Sequence, residues 1–187
     1  MEAFLTSALL VAVAEIGDKT MLLAIVLATR FRKPLPIVLG ILFATLANHA
    51  LAAFAGKFVA DLVQGTWFNV AVALSFIAMG LWTLIPDKLD EDERPRSHGG
   101  AFLTTLVAFF LVEIGDKTQI ATLALGARFE NVALVTAGTT LGMMIANVPA
   151  VLLGHQLVKR ISLTTVNRIA AVLFMGAGLW MLWDVLG

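Results

Sequence analysis

The sequence predicts an all-α membrane protein with six transmembrane helices arranged as two inverted three-helix repeats. Three observations predict it. The chain is too apolar and too poor in charge for a soluble domain, it divides into six apolar segments, and it repeats itself without gaps at an offset of 98 residues. Of its 187 residues, 59% are apolar and 14% are charged, with a mean hydropathy of +0.91. Soluble domains run at about 45–50% apolar and about 25% charged, so soluble, disordered and coiled-coil classes are excluded. Thirteen basic and thirteen acidic residues cancel, which leaves no polyanion-binding footprint and no nucleic-acid partner. The absence of Cys excludes disulfides, thiolate metal sites and dithiol redox chemistry. Only His49, His98 and His155 carry imidazole, too few for a polyhistidine site.

A spanning helix needs about 20 mostly apolar residues. Six stretches meet that need: 3–29, 36–56, 66–86, 101–127, 132–154 and 164–185. The first is no cleavable signal peptide, because it lacks a basic leader and carries Glu15, Asp18 and Lys19 where an apolar core belongs. The second contains Asn48 and His49. The third ends in Trp82 and runs into a polar stretch, 87–98, that reads as a solvated acidic loop. The fourth carries Glu113, Asp116 and Lys117, so it is interrupted by charge as the first is. The fifth contains Asn147 and a Pro149 expected to kink it. The sixth holds Trp180, an expected interface anchor like Trp82. The domains are therefore residues 1–86, the loop 87–98, and residues 99–187.

Orientation follows from counting Lys and Arg by loop. The side holding the loop after segment one receives Arg30, Arg32, Lys33, Lys88, Arg94, Arg96, Lys159, Arg160 and Arg168. The other side receives Lys57 and Arg128. Nine against two makes the first side cytoplasmic, puts both termini outside and places the acidic loop in the cytoplasm.

The repeat is carried by charge as much as by apolar composition. Glu15-Ile16-Gly17-Asp18-Lys19-Thr20 recurs as Glu113-Ile114-Gly115-Asp116-Lys117-Thr118, and Gly80-Leu81-Trp82 recurs as Gly178-Leu179-Trp180. Residues 1–89 and 99–187 share 24 identities, about 27%; shared apolar composition inflates that figure, but chance rarely gives the charged six. Three spans per half is an odd number, so the second half enters the membrane from the opposite side. That is the architecture of many secondary transporters, with the site at mid-membrane between the halves.

Within a helix, Glu15 and Asp18 are three apart and share a face, as do Glu113 and Asp116. Burying a carboxylate at that depth costs about 2.5–3.5 kcal/mol on insertion scales. Four converging carboxylates repel unless protons or a cation neutralise them, and exchange between the two is a transport cycle. Structural salt bridges with the lysines are the plainer reading, but such bridges stabilise poorly, and the same one placed twice favours function. With Lys19 and Lys117 counted as charged, the six groups sum to −2, which one divalent cation or two protons would balance. Lys19 stands four after Glu15, a favourable pairing geometry, or else meets an Asp on a neighbouring helix.

The remaining candidate ligands are oxygens: the Thr20 and Thr118 hydroxyls and the Gln119 amide. Such a set suits Ca²⁺, Mn²⁺ or Mg²⁺, with a dehydrating cage favouring Ca²⁺ or Mn²⁺. Gly17 and Gly115 permit close helix approach or local unwinding. Asn48 and Asn147, 99 apart, either complete the site or bond a neighbouring helix. His49 aligns with Asn147 at the strict offset and reads as a satisfied core histidine, with proton relay as the alternative.

Two E-x-G-D-K-T motifs, Glu15 to Thr20 and Glu113 to Thr118, in two three-helix halves joined by an acidic loop, resemble the GDT-type family of cation/proton exchangers. That family includes Golgi and chloroplast members and bacterial manganese exporters. The resemblance covers essentially the whole chain. It implies seven or fewer helices, exchange of Mn²⁺ or Ca²⁺ against H⁺, and a site made by Glu15, Asp18, Glu113 and Asp116 with Lys19, Thr20, Lys117 and Thr118 beside them. The chain lacks the targeting extension of eukaryotic members and so is expected in a prokaryotic plasma membrane. The expected activity is export of Mn²⁺, with Ca²⁺ as the alternative cation, in exchange for H⁺, with no prosthetic group. The expected partners are those ions and the lipid bilayer, with a homodimer as an open option. An exporter of amino acids or other small organic cations is the alternative in the same class. An intramembrane enzyme using Asp18 and Asp116 is the alternative from another class, and a purely structural subunit is a third.

Overall fold

The structure, a computed structural model, describes residues 1–85, 99–154 and 162–187. These residues form eight helices and no strand: α1 (Glu2–Glu15), α2 (Lys19–Phe31), α3 (Pro34–Leu62), α4 (Thr66–Thr83), α5 (Ala101–Glu113), α6 (Lys117–Phe129), α7 (Val132–Leu153) and α8 (Leu163–Leu186). The loop 87–98 lies outside the described residues. So do His98, His155 and five basic residues used for orientation, Lys88, Arg94, Arg96, Lys159 and Arg160.

Local chemistry sets the helix ends. α2 and α6 stop in the same way: Arg32 and Glu130 turn left-handed, and their N–H groups donate to Ala28 O and Gly126 O at 3.0 Å. α3 then restarts at once on Pro34, a residue suited to a first helical position. Asn131 caps α7, its side chain accepting from Leu134 N at 3.0 Å, and Ser162 caps α8. α7 continues through Pro149.

α3, α4, α7 and α8 are long and apolar enough to cross a membrane. The other four are not. At 13 or 14 residues each, they reach about 20 Å against a hydrocarbon core of about 30 Å. The segments 3–29 and 101–127, expected as single interrupted spans, are therefore each a pair of half-length helices.

The halves pack by exchanging partners. α1 lies on α7 and its repeat equivalent α5 lies on α3; α3 lies on α6 and α7 on α2; α4 lies on α8. Glycines allow these approaches. A methyl group on Gly80 would stand 2.9 Å from Ala171 O, and one on Gly178 would stand 2.7 Å from Ala73 O. The two contacts are the same contact with the halves exchanged, and they bring the α4 and α8 backbones together as small residues do in membrane helix pairs. Gly138 over the Phe4 carbonyl and Gly40 over the Phe102 carbonyl repeat the device for α7–α1 and α3–α5.

Outward faces carry Leu51, Phe54, Phe58, Leu152, Val172 and Trp183, all exposed, a pattern compatible with hydrocarbon surroundings. Trp82 and Trp180 each lie 5.8 Å from a cation, Lys117 and Arg128 respectively. A larger residue in the α4–α8 seam must separate two backbones, so Gly178→Val should destabilise the fold by about 1–3 kcal/mol. A methyl group on Gly176 of the same helix would meet no described residue within 4 Å, and Gly176→Ala should raise stability by about 0.5–1 kcal/mol. Thermal unfolding of the purified variants in detergent checks both.

Candidate functional site

Each charged motif breaks a helix. α1 ends on Glu15 and α5 on Glu113, and two residues then leave the helix before Asp18 and Asp116 begin α2 and α6 as N-cap residues. Gly17 and Gly115 make the turn with φ of +90° and +79°, a region open to glycine and strained for other residues. The chain is pinned across each break by Asp18 N–H to Glu15 O and Asp116 N–H to Glu113 O, both at 3.1 Å. The expected common helix face for Glu15 and Asp18, and for Glu113 and Asp116, is therefore absent. The paired acids flank a turn instead, because the glycine between them ends the helical register.

A break frees backbone groups that an apolar interior must satisfy. Gly115 N–H donates to Gln119 Oε1 at 2.7 Å, and Gly17 N–H meets Met21 Sδ, the equivalent position, at 3.4 Å. Ile114 N–H turns to Leu111 O, and Asn48 Nδ2 supplies the Phe110 carbonyl at 3.0 Å. Gln119 Nε2 reaches Asn48 Oδ1 at 3.4 Å. Asn48 and Gln119 thus brace the second break.

The acids are buried, Glu15 and Glu113 at 0% and 1% exposure and both aspartates at 4%. Glu15 collects donors from both halves. Thr20 Oγ1 donates to its Oε2 at 2.5 Å, the Thr118 hydroxyl donates to its Oε1, and Asn147 Nδ2 stands 3.4 Å from Oε2. Glu113 has a different neighbourhood: His49 Nε2 lies 3.4 Å from its Oε1, and its Oε2 has no hydrogen-bond partner among the described residues. Asp116 accepts from the Lys117 N–H at 2.7 Å and has Lys19 Nζ at 3.8 Å.

Lys19 therefore meets the aspartate of the other half, and the i to i+4 pairing with Glu15 does not form. Lys117 sends its ammonium to Ile85 O at 2.9 Å, at the end of α4.

The structure brings together Glu15, Thr20, Thr118 and Asn147 as one group, Glu113 with His49 as a second, and Asp116 with Lys19 as a third. Among the described residues, no three His, Asp or Glu side chains are grouped closely enough to hold one metal ion. The expectation of a satisfied core histidine at position 49 is not met. Far from satisfied, its buried ring leaves Nδ1 without a hydrogen-bond partner among the described residues. The signal was its strict-offset match to Asn147, since those two positions face Glu113 and Glu15 respectively. Leu163 was also missed: it lies directly over Gly17, whereas a side chain at Gly115 would meet none of the described residues within 4 Å.

Residues 3–91 and 101–187 both match the family model described as "Divalent cation/proton antiporter GDT1". A protein of Vibrio cholerae serotype O1 named "Putative manganese exporter" is 49% identical over 166 residues, covering 88% of this chain and 82% of that one. The "GDT1-like protein sll0615" of Synechocystis is 31% identical, with 93% of each chain covered. "GDT1-like protein 4" of Oryza sativa subsp. indica is also 31% identical, over 95% of this chain and 72% of that one. No solved structure matches. The two motif-bearing halves and these similarities place the chain in the GDT1 family of divalent cation/proton antiporters.

Proposed function

We propose that the chain crosses a prokaryotic plasma membrane six times, as two inverted three-helix repeats, and exports Mn²⁺ from the cytoplasm in exchange for protons. In this reading α1 with α2, and α5 with α6, each make one span, with the breaks at mid-depth. The termini face outward and the 87–98 loop lies in the cytoplasm, as the distribution of basic residues favours. The transported ion is held by Glu15, Asp18, Glu113 and Asp116, with Thr20, Thr118 and Asn147 beside them and Lys19 balancing charge.

The observation that carries this reading is the meeting of the two motifs on one carboxylate: Glu15 takes hydroxyl donors from Thr20 of its own half and Thr118 of the other. Buried carboxylates in a low-dielectric interior require neutralisation. Protons do this one at a time, and a divalent cation does it for two at once, so the two compete for the same oxygens. The broken helices add to the binding. The C-terminal ends of α1 and α5 present carbonyl oxygens suited to a cation, while the N-termini of α2 and α6 favour the anionic Asp18 and Asp116. Loading draws the three groups of residues together, and the halves rock about the site to open it to alternate sides. Oxygen ligands suit Mn²⁺ and also Ca²⁺; the name of the Vibrio relative favours Mn²⁺.

Removing one site charge without changing shape should stop transport. Glu15→Gln and Glu113→Gln should each lower Mn²⁺ flux in proteoliposomes at least about 10²-fold, the scale of a lost charge-assisted ligand at about 1.4 kcal/mol per tenfold. Full flux in either variant refutes the site. Exchange of one Mn²⁺ for two H⁺ moves no net charge, so the initial rate should not respond to an imposed potassium diffusion potential. A rate that follows the potential rejects that stoichiometry.

A further inference from the structure

Glu15 and Glu113 occupy equivalent places in the two halves but face different partners. Asn147, on α7, stands 3.4 Å from Glu15, and His49, on α3, stands 3.4 Å from Glu113. His49 and Asn147 are themselves equivalent at the offset of 98. The second half thus presents an amide to the first half's glutamate, and the first half presents an imidazole to the second half's.

We propose that His49 is the specificity-determining residue of the ion site, supplying one nitrogen ligand that selects a first-row divalent ion, Mn²⁺, over Ca²⁺. This rests on the carboxylate site proposed above.

Three features of His49 support the assignment. It is fully buried, so the ring is not a surface feature. Its polar atoms are turned to the site: Nδ1 has no hydrogen-bond partner among the described residues, and the Nε2 contact is to Glu113 Oε1, an acid of the proposed site. The position also suits the role: Nε2 stands 3.4 Å from Glu113 Oε1, so an ion held by that carboxylate lies beside an imidazole nitrogen. Ca²⁺ takes oxygen ligands almost throughout, whereas imidazole is a ligand of transition-metal ions. A histidine inside an otherwise all-oxygen set therefore weakens the site for Ca²⁺ relative to Mn²⁺, and asparagine at that position would restore an all-oxygen set.

The test compares initial uptake of Mn²⁺ and of Ca²⁺ into proteoliposomes by the full chain, His49→Asn and Glu113→Gln. The Mn²⁺:Ca²⁺ rate ratio should fall at least about tenfold in His49→Asn, the scale on which ligand-sphere changes alter metal affinity. An unchanged ratio, or equal loss of both ions, overturns the proposal. A second readout does not depend on transport. Mn²⁺ bound to the wild-type chain labelled with ¹⁵N-histidine should show nitrogen hyperfine coupling in pulsed electron paramagnetic resonance, and the coupling should vanish in His49→Asn. Absence of coupling in the wild type, or its persistence in His49→Asn, also overturns it. Glu113→Gln separates the two readings: if it transports Mn²⁺ at the wild-type rate, the carboxylate site itself fails. If it is inactive while His49→Asn keeps the wild-type ratio, only the role of His49 fails.

Discussion

The break in each motif helix is the constraint on which the rest of the structure depends. A helix interrupted inside an apolar bundle leaves backbone groups that no water satisfies, so every neighbouring residue is drawn into repairing or using the gap. The motif order follows from this. Glutamate closes the first half-helix, glycine turns at positive φ, aspartate caps the next half-helix, and lysine and threonine start it. Threonine at the second helical position reaches back across the turn, as Thr20 does to Glu15. Asn48 and Gln119 repair the second break, and the Met21 sulfur is the weaker counterpart of Gln119 in the first. Each motif is thus a turn first, and on the proposed reading its acids serve as ligands as well.

The two turns are alike in backbone and unlike in surroundings. Both threonines serve Glu15, whereas Glu113 has His49. Lys19 crosses to Asp116, and Lys117 goes to the end of α4. Leu163 covers Gly17, while no described residue would meet a side chain at Gly115. On the proposed inverted-repeat reading, a difference of this kind separates a site facing one side from a site facing the other: exchanging the roles of the halves would exchange the accessible break. The exchange cannot be exact here, because His49 and Asn147 differ in chemistry.

Most of the helical architecture was legible because duplication and burial both leave marks in one dimension. An apolar chain tolerates internal charge only at a cost, so two copies of the same six residues stood out at once, and the α2 and α6 boundaries repeat at the sequence offset. The break itself was less legible. Glu-x-x-Asp satisfies the helical spacing rule, and a glycine inside a helix costs only about 1 kcal/mol, too little to decide between a helix and a turn. Partner choice was illegible for the lysines, since reaching Asp116 or Ile85 is a matter of tertiary placement. Asn48 illustrates the precision needed. It misses strict equivalence with Asn147 by one residue, and one residue turns a helix by about 100°. Asn48 accordingly meets the Phe110 carbonyl, and His49 is the residue that faces an acid.

The choice of neighbours around the glutamates bears on how such a site could exchange its occupants. A lysine held against each glutamate would satisfy the carboxylate permanently and compete with cation and proton alike. The groups found at Glu15 are hydroxyls and an amide, which carry no net charge. A hydroxyl donates to a bare carboxylate and, after a rotation about one bond, offers its oxygen lone pairs to a metal ion. Thr20 and Thr118 are therefore suited to an empty and a filled site without leaving their helices. Asp116 differs: it accepts from its own helix N-terminus and has Lys19 beside it. On the proposed reading the acids divide their labour accordingly, with Asp116 anchoring the site between the halves. The glutamates, served by neutral and switchable partners, are where proton and cation replace one another.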